Sequence, residues 1–147
     1  MKIAVVSGGF DPIHSGHIDY LSEAKTNSDY LIVALNSDSW LANKKGKPFM
    51  EFNERKQILE SIKYVDEVID FDDTDGSCIN ALEKVKATYR DANIIFCNGG
   101  DRNEKNTPEQ NVEGIKFMFG VGGRNKKNSS SWILKNWQYD SKVDKNE

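Results

Sequence analysis

Two cysteines, two histidines and three prolines in 147 residues leave several functions without material. Cys78 and Cys97 are too few and too far apart for a disulfide framework or a zinc site, and read instead as small buried apolar residues in a reducing compartment. No apolar run approaches the length of a membrane span, and the chain enters its first strand directly. A cytoplasmic protein with no signal peptide and no membrane partner is therefore expected. Basic residues are outnumbered, 20 Lys and Arg against 23 Asp and Glu, for a net charge of −3. A general nucleic-acid binder would carry the opposite bias. Two phosphate-binding signatures are missing as well. Gly46-Lys47 has no Ser or Thr after the lysine and no upstream glycine at P-loop spacing, and no G-x-G-x-x-G follows the first strand. Internal repeats and low-complexity segments are absent. The length suits one domain, assigned to 1–137, with a polar tail over 138–147.

The two histidines stand in one short run, Gly8-Gly9-Phe10-Asp11-Pro12-Ile13-His14-Ser15-Gly16-His17. Before it, Lys2-Ile3-Ala4-Val5-Val6-Ser7 reads as a buried parallel strand; after it, Ile18, Leu21 and Ala24 recur as one face of a helix. A glycine-bearing turn between a strand and a helix N-terminus is a seat for anions, because the first N–H groups of the helix lack internal partners and the macrodipole adds positive charge. Gly8 and Gly9 admit close backbone approach, Pro12 stiffens the loop and Gly16 leaves room beside the second imidazole. His14 and His17 can each donate a hydrogen bond to a phosphoryl oxygen, charged or neutral. The plainer alternative is a pair of hydrogen-bonded structural histidines, which two imidazoles converging on one helix start make the weaker reading. No Cys or Asp/Glu cluster completes a metal site around them.

Strand and helix patterns then alternate, the signature of a parallel sheet covered on both faces. Tyr30–Leu35 forms the second strand and ends in Asn36-Ser37-Asp38-Ser39; residues 43–48 look like an exposed loop. Asn53 is placed as the cap of a helix with Ile58, Leu59 and Ile62 inward. Arg55 in its first turn opposes the helix dipole and gains most if an anion is close. Val65–Phe71 is the third strand, followed by a helix with Ile79, Leu82, Val85 and Tyr89 inward. Asn93–Cys97 is the fourth strand and delivers Asn98-Gly99-Gly100-Asp101-Arg102, a second glycine-rich turn. A loop or short helix leads to the fifth strand, Ile115–Val121. Ser129-Ser130-Ser131 caps a terminal helix and offers hydroxyls and N–H groups to a phosphate, with Trp132 and Trp137 expected to pack on the sheet.

Four of these segments, in order, resemble the cytidylyltransferase-like nucleotidyltransferases, with glycerol-3-phosphate cytidylyltransferase as the closest-looking branch. His14-Ser15-Gly16-His17 matches the HxGH motif, preceded by the expected glycine, Phe10 and Asp11. Residues 53–59 with Tyr64-Val65-Asp66-Glu67-Val68 resemble that branch's arginine-bearing helix and YVDEV strand. Gly99-Gly100-Asp101 resembles its glycine-aspartate turn, and residues 124–131, RNKKNSSS, fall in register with its RTEGISTT box. The box departs from the pattern at Asn125-Lys126-Lys127-Asn128 and carries serines for threonines, and Arg102 replaces an aromatic residue. Asn36-Ser37-Asp38 and Gly99-Gly100-Asp101 also resemble sugar-phosphate adenylyltransferases that make ADP-heptose, and residues 8–14 resemble nicotinate mononucleotide adenylyltransferases.

The resemblance implies a Rossmann-like three-layer α/β/α fold with a parallel sheet of about five strands, and a cytoplasmic homodimer. It implies transfer of a nucleoside monophosphate from CTP, or alternatively ATP, to a small phosphorylated polyol or sugar, with release of pyrophosphate. His14 and His17 would bind the triphosphate and stabilise the α-phosphoryl transition state, Ser129 and Ser130 would hold the β and γ phosphates, and Lys44, Lys47, Arg55 and Arg124 would add positive charge. Gly8, Gly9, Phe10 and Gly16 would shape the nucleotide loop, Asp101 would contact the base, and Asp11 would orient the site or hold Mg²⁺. For the lysines the competing reading is a solvated loop, for Asp11 and Asp101 a turn. A nucleotide-binding module without turnover is the alternative of another class.

Overall fold

The structure, a computed structural model, describes residues 1–99, 107–123 and 129–145, with 138–145 described by their backbone alone. Five strands, β1 (Lys2–Gly8), β2 (Tyr30–Leu35), β3 (Glu67–Ile69), β4 (Asn93–Cys97) and β5 (Ile115–Met118), form one sheet in the order β3-β2-β1-β4-β5, every pair parallel. The helices among the described residues are α1 (Ser15–Thr26), α2 (Asp38–Lys45), α3 (Phe52–Glu60), α4 (Ile79–Thr88) and α5 (Ser130–Lys145), with a 3₁₀ turn at Pro108–Asn111. None is long and apolar enough to cross a membrane.

The central strand shows why the sheet lies in the middle. Ile3, Ala4, Val5 and Val6 are fully buried, and because side chains alternate across a strand they supply two cores. Ile3 and Val5 pack with Leu82 and Val85 of α4; Ala4 and Val6 pack with Leu21 of α1 and Leu59 of α3. The result is the expected Rossmann-like α/β/α sandwich. After β3 the chain returns to the far side of β1, so the order reverses between β1 and β4, and in such sheets the crevice at the strands' C-terminal ends at this point is the natural ligand site. Gly122 seals one side of it: φ there is +85°, and a Cβ would lie 2.9 Å from the Tyr20 Cα, so α1 packs directly on its backbone.

Several boundaries differ from the sequence reading. Residues 38–45 are helical, not a turn and loop: only Leu41 is buried in α2, so no apolar period marks it, and its start is made by Ser37, whose Oγ accepts the Trp40 N–H. Helix α3 begins at Phe52 after Glu51, which places Asn53 inside the first turn instead of at the cap. Strands β3 and β5 are shorter than expected because they pair on one side only, at the sheet edges. The terminal helix runs past residue 137 to Lys145. Trp132 and Trp137 do not pack on the sheet; they are 50% and 66% exposed. Cys78 and Cys97 are buried thiols, as expected, and burial chiefly pushes the Cys97 thiol up to about 12, which keeps it protonated.

Candidate active site

The loop from Gly8 to His14 is held in shape by backbone-directed bonds from residues distant in sequence. Phe10 sits at φ 50°, a conformation few residues with a side chain adopt, and its buried ring compensates by packing 4.7 Å, centroid to centroid, from the His17 imidazole. Asp11 is 1% exposed; its two carboxylate oxygens accept the N–H groups of Phe49 (2.6 Å) and Met50 (2.7 Å). Of the two roles expected for Asp11, the geometry supports orientation of the loop. A metal ligand would need those oxygens, and no group of three His, Cys, Asp or Glu side chains able to hold a metal gathers among the described residues.

Helix α1 is started by the histidines themselves. His14 is its N-cap: the Nδ1 of His14 accepts the Gly16 N–H at 3.1 Å, and the Nδ1 of His17 accepts the His14 N–H at 3.2 Å. A backbone N–H can only donate, so each Nδ1 must present a lone pair, and in the neutral ring the proton then resides on Nε2. The rings stack at 3.9 Å between centroids, and both residues line one cavity. Gly16 suits this arrangement, since a Cβ there would press on the His14 ring at 3.0 Å.

The site favours the neutral form of both rings. Burial foremost, then the positive charge His14 and Lys45 can carry, pushes the His17 pKa down to about 3; burial lowers His14 as well. A folded-state pKa below the ordinary 6.5 means the unfolded chain takes up a proton first as pH falls. Stability is therefore complete above pH 6.5 and declines as pH falls towards about 3, by at most about 1.4 kcal/mol per pH unit for His17. Urea unfolding at successive pH values should show this acid limb, and His17→Gln should flatten it; an unchanged limb in the variant would assign it to other groups.

Arg55 finds its anion inside the protein. The guanidinium is 1% exposed: Nε donates to the Met50 carbonyl, Nη1 to the Gly9 and Asn36 carbonyls, each at 2.9 Å, and Nη2 to the Asp38 carboxylate at 2.7 Å. It ties the loop after β1, the end of β2 and the start of α2 together. The expected direct charge from Arg55 to a phosphate is replaced by this positioning role, because its donors are turned inward.

The cavity at the switch point measures about 670 Å³. Gly8, Gly9, Phe10, Asp11, Gly16, Lys44, Ser129 and Ser130 line it, together with Asn98 and Gly99 of the second turn. Lys47 does not; it lines a neighbouring cavity. Lys45 does, donating to the Asp11 carbonyl at 2.8 Å, with a pKa lowered chiefly by burial. Lys44 lies 4.9 Å over the Trp40 ring. Ser129 caps α5 by accepting the Trp132 N–H, while the Ser130 hydroxyl donates to the Pro12 carbonyl and joins α5 to the histidine loop. Asp101 and Arg124 lie outside the described residues.

Among the described residues, Tyr20, Trp40, Trp132 and Asp73 are contributors that the sequence reading did not assign to the site. Tyr20 follows His17 by three residues on one helix face, a signal that was present; it bonds the Cys97 carbonyl. Buried Asp73 accepts from the Asn36 side chain and from the Ser37 N–H and Oγ, which fixes the end of β2. Its partners are too remote in sequence to leave a pattern.

Known proteins resemble this chain in sequence and fold. The chain is 46% identical over 69 residues to the glycerol-3-phosphate cytidylyltransferase of Bacillus subtilis (strain 168), a match spanning 47% of this chain and 54% of that protein. It is 34% identical over 125 residues to the bifunctional protein HldE of Geobacter metallireducens, covering 84% of this chain and 23% of that one. The chain thus spans about half the length of the first relative and a quarter of the second. A solved lipopolysaccharide core biosynthesis protein from Thermoplasma volcanium GSS1 superposes with a TM-score of 0.62 at 25% identity, over 81% of this chain and 95% of that one. The sequence profile of one family, cytidylyltransferase-like, matches residues 5–143, and with the histidine loop at the switch point of a five-stranded parallel sheet, the chain belongs to that family.

Proposed function

We propose that the protein transfers a nucleoside monophosphate from CTP to a small phosphorylated polyol or sugar, releasing pyrophosphate. One observation carries the reading: two stacked imidazoles, each with its Nδ1 taken by a backbone N–H so that Nε2 is left for another partner, line a cavity at a helix N-terminus. The acceptor phosphate is already an anion at neutral pH, so the reaction needs no general base. Its barrier lies in bringing two polyanions together and in stabilising charge on the α-phosphoryl oxygens and the leaving group. Preset donors meet that need without reorganising. Lys44, Lys45 and the start of α5 add positive potential, and Mg²⁺ enters with the triphosphate as part of the substrate.

The choice of CTP draws on the segment 53–68 and on the likeness to the Bacillus enzyme. A second reading, ATP with a sugar phosphate, draws on Asn36-Ser37-Asp38, which the Asp73 network and Arg55 hold at the edge of the cavity. Pyrophosphate release with Mg²⁺, crossing CTP and ATP against glycerol 3-phosphate, heptose 1-phosphate and related phosphates, separates the two. Release with CTP and a polyol phosphate is the expected result. Silence across the panel alongside tight nucleotide binding would favour the module without turnover.

A further inference from the structure

Helix α2 has eight residues and one buried side chain, Leu41, so a core face does little to fix where it lies. It nevertheless brings Trp40 and Lys44 to the cavity, and Leu41 crosses the histidine loop so closely that a Cβ on Gly9 would lie 2.7 Å from Leu41 Cδ2. Its placement is set at its start, between two buried groups. Arg55 holds the Asn36 carbonyl and the Asp38 carboxylate. Asp73, 6% exposed in the segment between β3 and α4, holds the rest. Its Oδ2 accepts the Asn36 side-chain amide at 3.1 Å and the Ser37 N–H at 2.8 Å, and its Oδ1 accepts the Ser37 hydroxyl at 2.8 Å. A carboxyl group buried this far from water requires such donors.

The Ser37 hydroxyl transmits that hold. The Trp40 N–H can only donate, so at 3.1 Å the hydroxyl oxygen accepts it, and the hydroxyl proton is left for Asp73. One turn further on, the Lys44 Nζ stands 4.9 Å over the Trp40 ring. Contacts thus run without a break from the Asp73 carboxylate through Ser37 and Trp40 to the Lys44 ammonium. Trp40 and Lys44 line the cavity, whereas Asp73 and Ser37 do not. We propose that Asp73 is a positioning residue, acting through Ser37 and Trp40 to set where the Lys44 charge meets a substrate phosphate. The proposal rests on the transferase reading above.

Ser37→Ala tests it at the mildest point, since Asp73 keeps its two N–H donors. Lys44→Ala identifies the substrate whose KM depends on the Lys44 charge. Ser37→Ala and Asp73→Ala should each raise that same KM about tenfold, the order of one lost hydrogen bond, with kcat within about threefold. Ser37→Thr keeps a hydroxyl at the cap and should return KM to within about twofold of the native value. In the Lys44→Ala protein, Ser37→Ala should add less than about twofold, because residues that act in one series are not additive. A second readout needs no turnover. With the other two tryptophans, Trp132 and Trp137, replaced by phenylalanine, fluorescence reports Trp40 alone; Ser37→Ala and Asp73→Ala should shift its emission maximum and Ser37→Thr should restore it. An unshifted maximum in either folded alanine variant overturns the positioning role, as does a Ser37→Ala effect on KM that adds in full to that of Lys44→Ala. A shift that Ser37→Thr reverses, with no turnover on any substrate pair, leaves the positioning of Trp40 standing and overturns the transferase reading.

Discussion

His17→Ala should lower kcat by about 10²–10³-fold, the range seen when one preset transition-state donor is removed, with kcat/KM falling in proportion. The fold should survive. His17 is only partly buried, and its structural contributions are one bond from the His14 N–H and the contact with Phe10. Loss of a capping partner costs about 1 kcal/mol. That cost shrinks in acid, where the buried neutral imidazole is itself a liability. Steady-state kinetics beside a urea unfolding curve check both halves, and near-normal turnover in a folded variant would remove His17 from the chemistry. The neighbouring imidazole has only its Nε2 to offer, because its Nδ1 is committed to the Gly16 N–H.

Arg55→Leu should have the largest effect on stability, about 3–5 kcal/mol, because three backbone carbonyls lose their donor at about 1–3 kcal/mol each. The carbonyls of Gly9, Asn36 and Met50 would lose their shared donor, while the half-exposed Asp38 carboxylate could rehydrate. With folding free energies of about 5–15 kcal/mol for whole domains, such a loss takes a large share of the total. Arg55→Lys should recover little, since one ammonium cannot reach four acceptors placed around a planar fork. Turnover should fall in the folded fraction too, because the clamp sets the loop that carries the histidines. Urea midpoints of the two variants give the answer: a loss below about 1 kcal/mol would mean that the clamp is dispensable and return Arg55 to the role of a phosphate ligand.

These expectations rest on different kinds of legibility. The histidine loop was readable because it is local: strand, glycine turn and helix start occupy adjacent residues, and the capping bonds run between His14, Gly16 and His17. The alternating sheet was readable because burial on both faces demands continuous apolar strands such as Ile3–Val6. Helix α2 was not, since a single buried leucine sets no period. Asp11 and Arg55 were visible as charged residues in suggestive places, but their partners stand up to 39 and 46 residues away, so charge alone pointed each towards a ligand. The tryptophans misled for a related reason: an aromatic residue on a helix normally packs inward, and only the position of α5 leaves them beside a cavity.

The sequence by itself determined the strand order's raw material, the placement of the histidine pair between strand and helix, and the family, because these depend on contacts between near neighbours and on the two-sided burial of β-branched runs; that the two rings cap the helix was shown by the structure. Tertiary structure decided which charges face a ligand. Backbone groups brought together from remote segments claim Asp11 and Arg55 for the scaffold and leave Lys45 beside the site, since a buried charge takes whatever partner the fold supplies at hydrogen-bonding distance.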